Sequence, residues 1–212
     1  MMIEAAGVGK MNAGVFDGGV QIADLPKEIV LAAGQRDVES AAQRLLVAAE
    51  IAVRSQQRIR RLVLADAVGI KVSGPETPDI ADMLVLAYDD AVRLLWHDPA
   101  AAQGMKWPGA PGISDDDLQG ALRALETVSA LGWKPFLHNP KLRRRLHRIK
   151  VPTLVLWGES DRVVSSEYGR AFHQAIPGSV FRVIPGAGHY PHRERPTDFV
   201  RAVTSFLLEE KG

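Results

Sequence analysis

Two side chains in the last third of the chain could do acid–base chemistry together. In LVLWGESDRVV, Asp161 stands just beyond an apolar run that closes at Gly158, and in VIPGAGHYPHRERP, His189 follows a Pro-Gly-Ala-Gly turn and precedes prolines at 191 and 196. A carboxylate beside an imidazole fixes the ring's tautomer and stabilises the imidazolium formed when the ring takes a proton. The pair therefore reads as an orienter and a general base. Neither a helix nor a strand can absorb His189 where it sits, and the glycines before it let the loop approach other backbone closely. Asp66, at the end of LVLAD, is a second carboxylate that could orient the base, although a turn-forming aspartate is the preferred reading there. His189 and His192 flank Pro191 with no third ligand at a recognisable spacing, so no metal site is expected.

For two loops to bring these groups together, the strands before them must be neighbours. Apolar runs occur at 28–33 (EIVLAA), 62–70 (LVLADAVGI), 151–158 (VPTLVLWG) and 181–184, and their near-continuous character suits parallel strands covered on both faces. Asp37 is a good N-cap for a helix running to about Ser55, and 197–208 has the spacing of a closing amphipathic helix. Strands alternating with helices in this way define an α/β fold with a parallel sheet, whose carboxyl edge gathers ligands and catalytic groups. Residues 1–26 show little periodicity beyond a short candidate strand at 19–23.

Between Ser73 and Lys150 helical patterns dominate, broken by WPGAPGISDDD, with residues 113–117 as the capped start of a second helix. The basic run KLRRRLHRIK is expected to form a helix that turns Leu142, Leu146 and Ile149 inward and its arginines to solvent. Trp96, Trp107, Trp133 and Phe136 fit either a pocket lining or internal packing.

Three segments, RRLVLADAVG, LGWKPFLHNPKLRRRLHRIKVPTLVLWGESDRVV and AIPGSVFRVIPGAGHYPHRERPTDFVRAVTSFL, occur in the order and spacing of a known family. From Arg61 to Leu207 the chain resembles the C-terminal two-thirds of an α/β-hydrolase of the family holding serine esterases, epoxide hydrolases and carbon–carbon hydrolases of aromatic ring-cleavage products. The resemblance implies a partial α/β-hydrolase parallel sheet with a helical lid insertion: residues 1–72 and 151–212 as the core and 73–150 as the lid. It also implies that Asp161 is the acid and His189 the base of a catalytic triad, that no dissociable cofactor is needed, and that the substrate is a small apolar ester or a carbon–carbon substrate.

A triad of this kind needs a G-x-S-x-G elbow between a strand and a helix, and the sequence contains none. Counting back from the second strand places SAAQRL, residues 40–45, where the elbow belongs, so that Ala42 occupies the nucleophile's slot with Ser40, Arg44 and Leu45 at the glycine positions. Ser40 is the nearest hydroxyl and serves only if the register slides by two residues; Ser55, Ser73 and Ser114 sit in less suitable contexts. Only 41 residues precede Ala42 and no His-Gly pair lies among them, so the oxyanion donors are not identified and the front of the chain reads as shortened or rewritten. Two functions stay open on this basis: a hydrolase using an Asp–His pair, or a catalytically inactive relative serving as a binding or interaction module.

Composition narrows the partners. Of 212 residues, 26 are basic and 25 acidic, so no global field draws the protein to nucleic acid or to an anionic membrane. There is no cysteine, which excludes disulfides, thiolate nucleophiles and Cys-ligated zinc. No apolar run of membrane-spanning length and no secretory leader is present, and a cytoplasmic protein is expected. With few strands before it, the strand at 28–33 or at 62–66 would form a sheet edge, which makes homo-oligomerisation through that edge a further expectation.

Overall fold

The computed structural model describes residues 29–32, 48–132 and 135–209. Four strands form one parallel sheet in the order β1 (Ile29–Ala32), β2 (Arg61–Ala65), β3 (Thr153–Gly158) and β4 (Val180–Ile184). The helices are α1 (48–54), α2 (Tyr88–Leu95), α3 (Asp115–Gly132), α4 (Ser166–Ala175), α5 (Pro191–Glu194) and α6 (Pro196–Leu208). Short 3-10 turns lie at Pro99–Ala102 and Arg143–Arg148.

Alternation along the central strands divides the core in two. Leu62, Leu64, Val155 and Trp157 face a layer holding Ala49 and Ala52 of α1 with Tyr168 and Phe172 of α4. Val63, Ala65, Leu154 and Leu156 face the other way, onto Phe199, Val203 and Phe206 of α6. Those three lie four and three residues apart on one face of α6, and Pro196 begins the helix where its missing N–H costs nothing. A sheet covered on both faces explains why the strand sequences are apolar at nearly every position.

Two expectations change in detail, and the choice of edge strand is narrowed. The strand beginning at 61 stops at Ala65 rather than continuing to Ile70, because Asp66 takes a positive φ of 48° and turns the chain out of the sheet. Residues 67–70 stay buried all the same, and the backbone N–H groups of Gly69 and Ile70 donate to the Tyr168 hydroxyl at 3.1 and 2.8 Å. The basic run forms a 3-10 turn at Arg143–Arg148, not an α-helix, yet Leu142, Leu146 and Ile149 are buried as their spacing predicts. Of the two strands expected at an edge, β2 is interior, flanked by β1 and β3.

Residues 73–150 contribute no strand to this sheet among the described residues. Helix α3 begins where its cap sequence indicates, with the Asp117 N–H donating to Ser114 Oγ at 3.2 Å. Trp96 and Trp107 are packed internally: their indole nitrogens donate to Met105 Sδ at 3.3 Å and to the Leu86 carbonyl at 3.0 Å. Trp133, the helix start at Asp37, residues 40–45 and the candidate strand at 19–23 lie outside the described residues. No helix among the described residues is long and apolar enough to cross a membrane.

Gly158 and Gly120 make opposite tests of this packing. A Cβ on Gly158 would collide with the Gly188 carbonyl oxygen, whereas one on Gly120, in α3, meets nothing within 4 Å. Gly158→Ala should destabilise the protein by about 3 kcal/mol, by forcing the two loops apart. Gly120→Ala should stabilise it by about 0.5–1 kcal/mol through helix propensity. Urea unfolding of the two variants measures both.

Candidate active site

Parallel strands deliver their C-terminal loops to one edge of the sheet. Asp66 follows β2 directly, Asp161 lies in the loop between β3 and α4, and His189 lies in the loop between β4 and α5. The register that pairs Ala65 with Leu156 and Gly158 with Ile184 sets these three loops side by side.

Asp161 and His189 meet. His189 Nδ1 stands 2.9 Å from Asp161 Oδ2, and both residues are buried. A carboxylate can only accept, so Nδ1 carries the proton and Nε2 is left as the ring's basic nitrogen. The other Asp161 oxygen, Oδ1, accepts the backbone N–H groups of Val163 at 2.9 Å and Val164 at 3.1 Å. Every face of the carboxylate is therefore directed, and its orientation is fixed before any substrate arrives.

The loop that carries His189 is held from two sides. The Ser160 N–H donates to the Ala187 carbonyl at 2.8 Å and the Gly186 N–H to Glu159 Oε2 at 3.0 Å, which ties it to the Asp161 loop. From the segment between β2 and β3, the Leu95 carbonyl accepts the His189 N–H at 2.7 Å. A Cβ on Gly188 would press on the backbone of residues 95–97, so only glycine permits this approach. The run of glycines before His189 thus has a physical purpose in seating the loop.

Glu194 was not foreseen from the sequence, where it is one acid in HRERP. It accepts the N–H groups of His97 at 2.9 Å and Asp98 at 3.0 Å through Oε1, and that of Gly188 at 2.6 Å through Oε2. One carboxylate therefore fastens α5, the histidine loop and the chain after α2 together. Ser160 was also not singled out; its hydroxyl pairs with His97 Nδ1 at 2.8 Å on the exposed rim.

The reading of Asp66 as only a turn residue needs correction. Its backbone does make the turn, but its side chain is buried, accepts the Gly158 N–H at 2.8 Å, and lies with Asp161 and His189 in a cluster whose donor atoms are within 4.8 Å of one another. Its burial, followed by the charge of Asp161, raises its pKa well above the ordinary carboxyl value. Sequence patterns miss this because strand adjacency, not chain distance, brings Asp66 to Asp161. The same three residues have the donor types of a cation site. Both Asp161 oxygens, Asp66 Oδ1 and His189 Nδ1 are already engaged in hydrogen bonds, so the arrangement serves protons better than a metal.

Aromatic and imidazole rings close the site. Tyr190 packs against His189 at 5.5 Å and edge-on to Trp96 at 5.4 Å, and burial pushes its phenol up to about 12. His192 packs against Tyr190 and Phe199, neither of its ring nitrogens has a hydrogen-bond partner, and burial holds its pKa down to about 3. Of the hydroxyls considered from the sequence, Ser73 is engaged with Thr77 and Lys71, Ser114 caps α3 and Ser55 is exposed after α1, while Ser40 and Ala42 lie outside the described residues.

A parallel sheet with a carboxylate–imidazole pair on adjacent strand-end loops places the chain among α/β proteins whose site lies at the carboxyl edge of the sheet. The alpha/beta hydrolase family model matches residues 18–203, and the chain belongs to that family. The 2-hydroxy-6-oxo-2,4-heptadienoate hydrolase of Pseudomonas putida is 29% identical over 171 residues, covering 75% of this chain and 58% of that protein. Among solved structures, the 2-hydroxy-6-oxo-6-phenylhexa-2,4-dienoate hydrolase of Rhodococcus sp. strain RHA1 superposes with a TM-score of 0.59 at 16% identity, over 87% of this chain and 79% of that one. A serine hydrolase involved in carbazole degradation superposes at 0.54 with 24% identity, over 77% of this chain and 60% of that one. The chain thus spans a little under two-thirds of the length of several relatives it matches.

Two substitutions test the scaffold of the site. Glu194→Ala should cost about 1 kcal/mol, because it removes the acceptor of the part-buried Gly188 amide and of two exposed amides, and should speed hydrogen exchange at Gly188 and His97. His192 gives a pH dependence. Its folded pKa of about 3 lies below the unfolded value near 6.5, so the unfolded chain binds the extra proton and stability falls as pH drops from about 6.5 towards 3. His192→Phe should remove that component, up to about 1.4 kcal/mol per pH unit, in unfolding curves recorded across this range.

Proposed function

We propose that this protein hydrolyses small apolar esters or vinylogous carbon–carbon bonds, with His189 as general base, Asp161 as its orienter, and residues 73–150 as a lid that shapes the substrate pocket. The observation that carries this reading is the buried 2.9 Å bond from His189 Nδ1 to Asp161 Oδ2, which leaves Nε2 to take a proton. The substrate class is supported by the named activity of the Pseudomonas putida relative.

In this mechanism Nε2 accepts the proton of an attacking hydroxyl as its oxygen bonds the substrate carbonyl carbon. Asp161 stabilises the imidazolium, which then returns the proton to the leaving group as the scissile bond breaks. Water completes the cycle by the same proton route. Ser40 is the candidate hydroxyl. The contact between the His189 N–H and the Leu95 carbonyl supports the lid assignment, because it couples the end of α2 to the base.

A second reading is favoured by the residue in the counted nucleophile slot: Ala42 has no group that can attack a carbonyl. On that reading the chain is a catalytically silent family member that retains the site as a binding pocket.

Short-chain nitrophenyl esters and a fluorophosphonate probe separate the two. For an active hydrolase, His189→Ala abolishes turnover, Asp161→Asn lowers kcat by about 10⁴-fold by reversing the tautomer preference, and Ser40→Ala removes probe labelling. A folded wild-type protein with neither turnover nor labelling identifies the silent binding module instead.

A further inference from the structure

Asp66 is left over from the acid–base pair and is built into it. Its Oδ1 accepts the Gly158 N–H, while its Oδ2 is buried and has no donor directed at it. Its carboxyl group shares a buried cluster with Asp161 and His189, whose nearest donor atoms all lie within 4.8 Å of one another. Two carboxyl groups buried close together repel each other when both are ionised, and a proton held by one of them relieves that repulsion. Asp161 already receives three donors, from Val163, Val164 and His189, so its oxygens are the better home for the negative charge. The other charged group facing Asp66 is Glu194 of α5, which adds further repulsion, and within the cluster of described residues His189 is the group that can become cationic.

We propose that Asp66 is a positioning residue, held as a neutral carboxylic acid whose Oδ2–H donates to the Asp161 carboxylate and thereby sets the basicity of His189. The inference rests on the reading of His189 as a base and deepens it. An ionised Asp161 draws a proton onto the imidazole, and unopposed it would favour the imidazolium, which cannot act as a base. A donor on the far side of the carboxylate delocalises its charge and weakens that pull on the ring. Asp66 takes a positive φ as β2 ends, and its carboxyl there accepts the N–H of Gly158 at the end of the neighbouring β3.

The burial of Asp66 and the charge of Asp161 hold its folded pKa well above its unfolded value. The folded protein therefore binds more protons than the unfolded chain once pH exceeds the ordinary carboxyl range, and its stability falls as pH rises towards the folded pKa of Asp66. Asp66→Asn keeps a permanent donor to Asp161 and an acceptor for Gly158 without this proton, and Asn tolerates the positive φ. Asp66→Gly also accommodates the backbone but removes the donor.

The experiment needs no turnover. The carboxyl carbon of Asp66 is followed by NMR through a pH titration of wild-type protein, the His189 ring is followed in wild type and both variants, and unfolding is measured against pH. The expected results are a protonated Asp66 at pH 7 and a His189 protonation constant in Asp66→Asn within about twofold of wild type. In Asp66→Gly that constant should rise several-fold, to about tenfold. The folding constant of Asp66→Asn relative to wild type should grow about tenfold per pH unit above the carboxyl range. An ionised Asp66 at pH 7, or a His189 titration identical in all three proteins, overturns the proposal. Esterase activity lost in His189→Ala with no His189 shift in Asp66→Gly rejects this inference alone, whereas the shift in a protein without turnover rejects only the catalytic reading.

Discussion

Asp161 is a carboxylate buried at the edge of a parallel sheet, and it survives there because the fold delivers donors to it. Val163 and Val164 supply backbone N–H groups from its own loop, and His189 supplies Nδ1–H from the next. A buried charge without such partners would cost several kcal/mol, so the conformation of two loops and the charge of one side chain depend on each other. The imidazole gains as much as it gives: its tautomer follows from an acceptor that has no alternative orientation.

That bond could not form on an unsupported loop. Parallel pairing of β3 with β4 brings the two loops to the same edge; the missing side chain of Gly158 lets their backbones touch, and that of Gly188 admits the backbone of residues 95–97. Glu194 then closes the assembly from α5 by binding amides of the histidine loop and of the chain after α2. The segment between β2 and β3 reaches His189 through the Leu95 carbonyl. His189 is thus seated by three separate parts of the chain, so displacement of any one of them is transmitted to the imidazole.

Much of the architecture was legible because it follows from local periodicity. Four apolar runs became four strands, the spacing of Phe199, Val203 and Phe206 became the buried face of α6, and Ser114 capped the helix its sequence announced. The positions of Asp161 and His189 were also legible, since each follows a strand and a turn that can be recognised in sequence. The 3-10 geometry at Arg143–Arg148 was less so: its inward spacing at Leu142, Leu146 and Ile149 satisfies a helical pattern while the hydrogen bonding is tighter.

By itself the sequence determined the parallel α/β class, the order of the strands along the chain, and a carboxylate and an imidazole placed beyond the ends of two of them, because those features depend on residues close together in the chain. Only the tertiary structure decided that the two side chains share a hydrogen bond, that Asp66 lies against Asp161, and that Glu194 locks the histidine loop. Each of those contacts joins residues from different strands or loops, and their meeting is set by sheet register and by the close approach of glycine backbones. A one-dimensional pattern carries the identity of such groups, but not the neighbours that fix their charge.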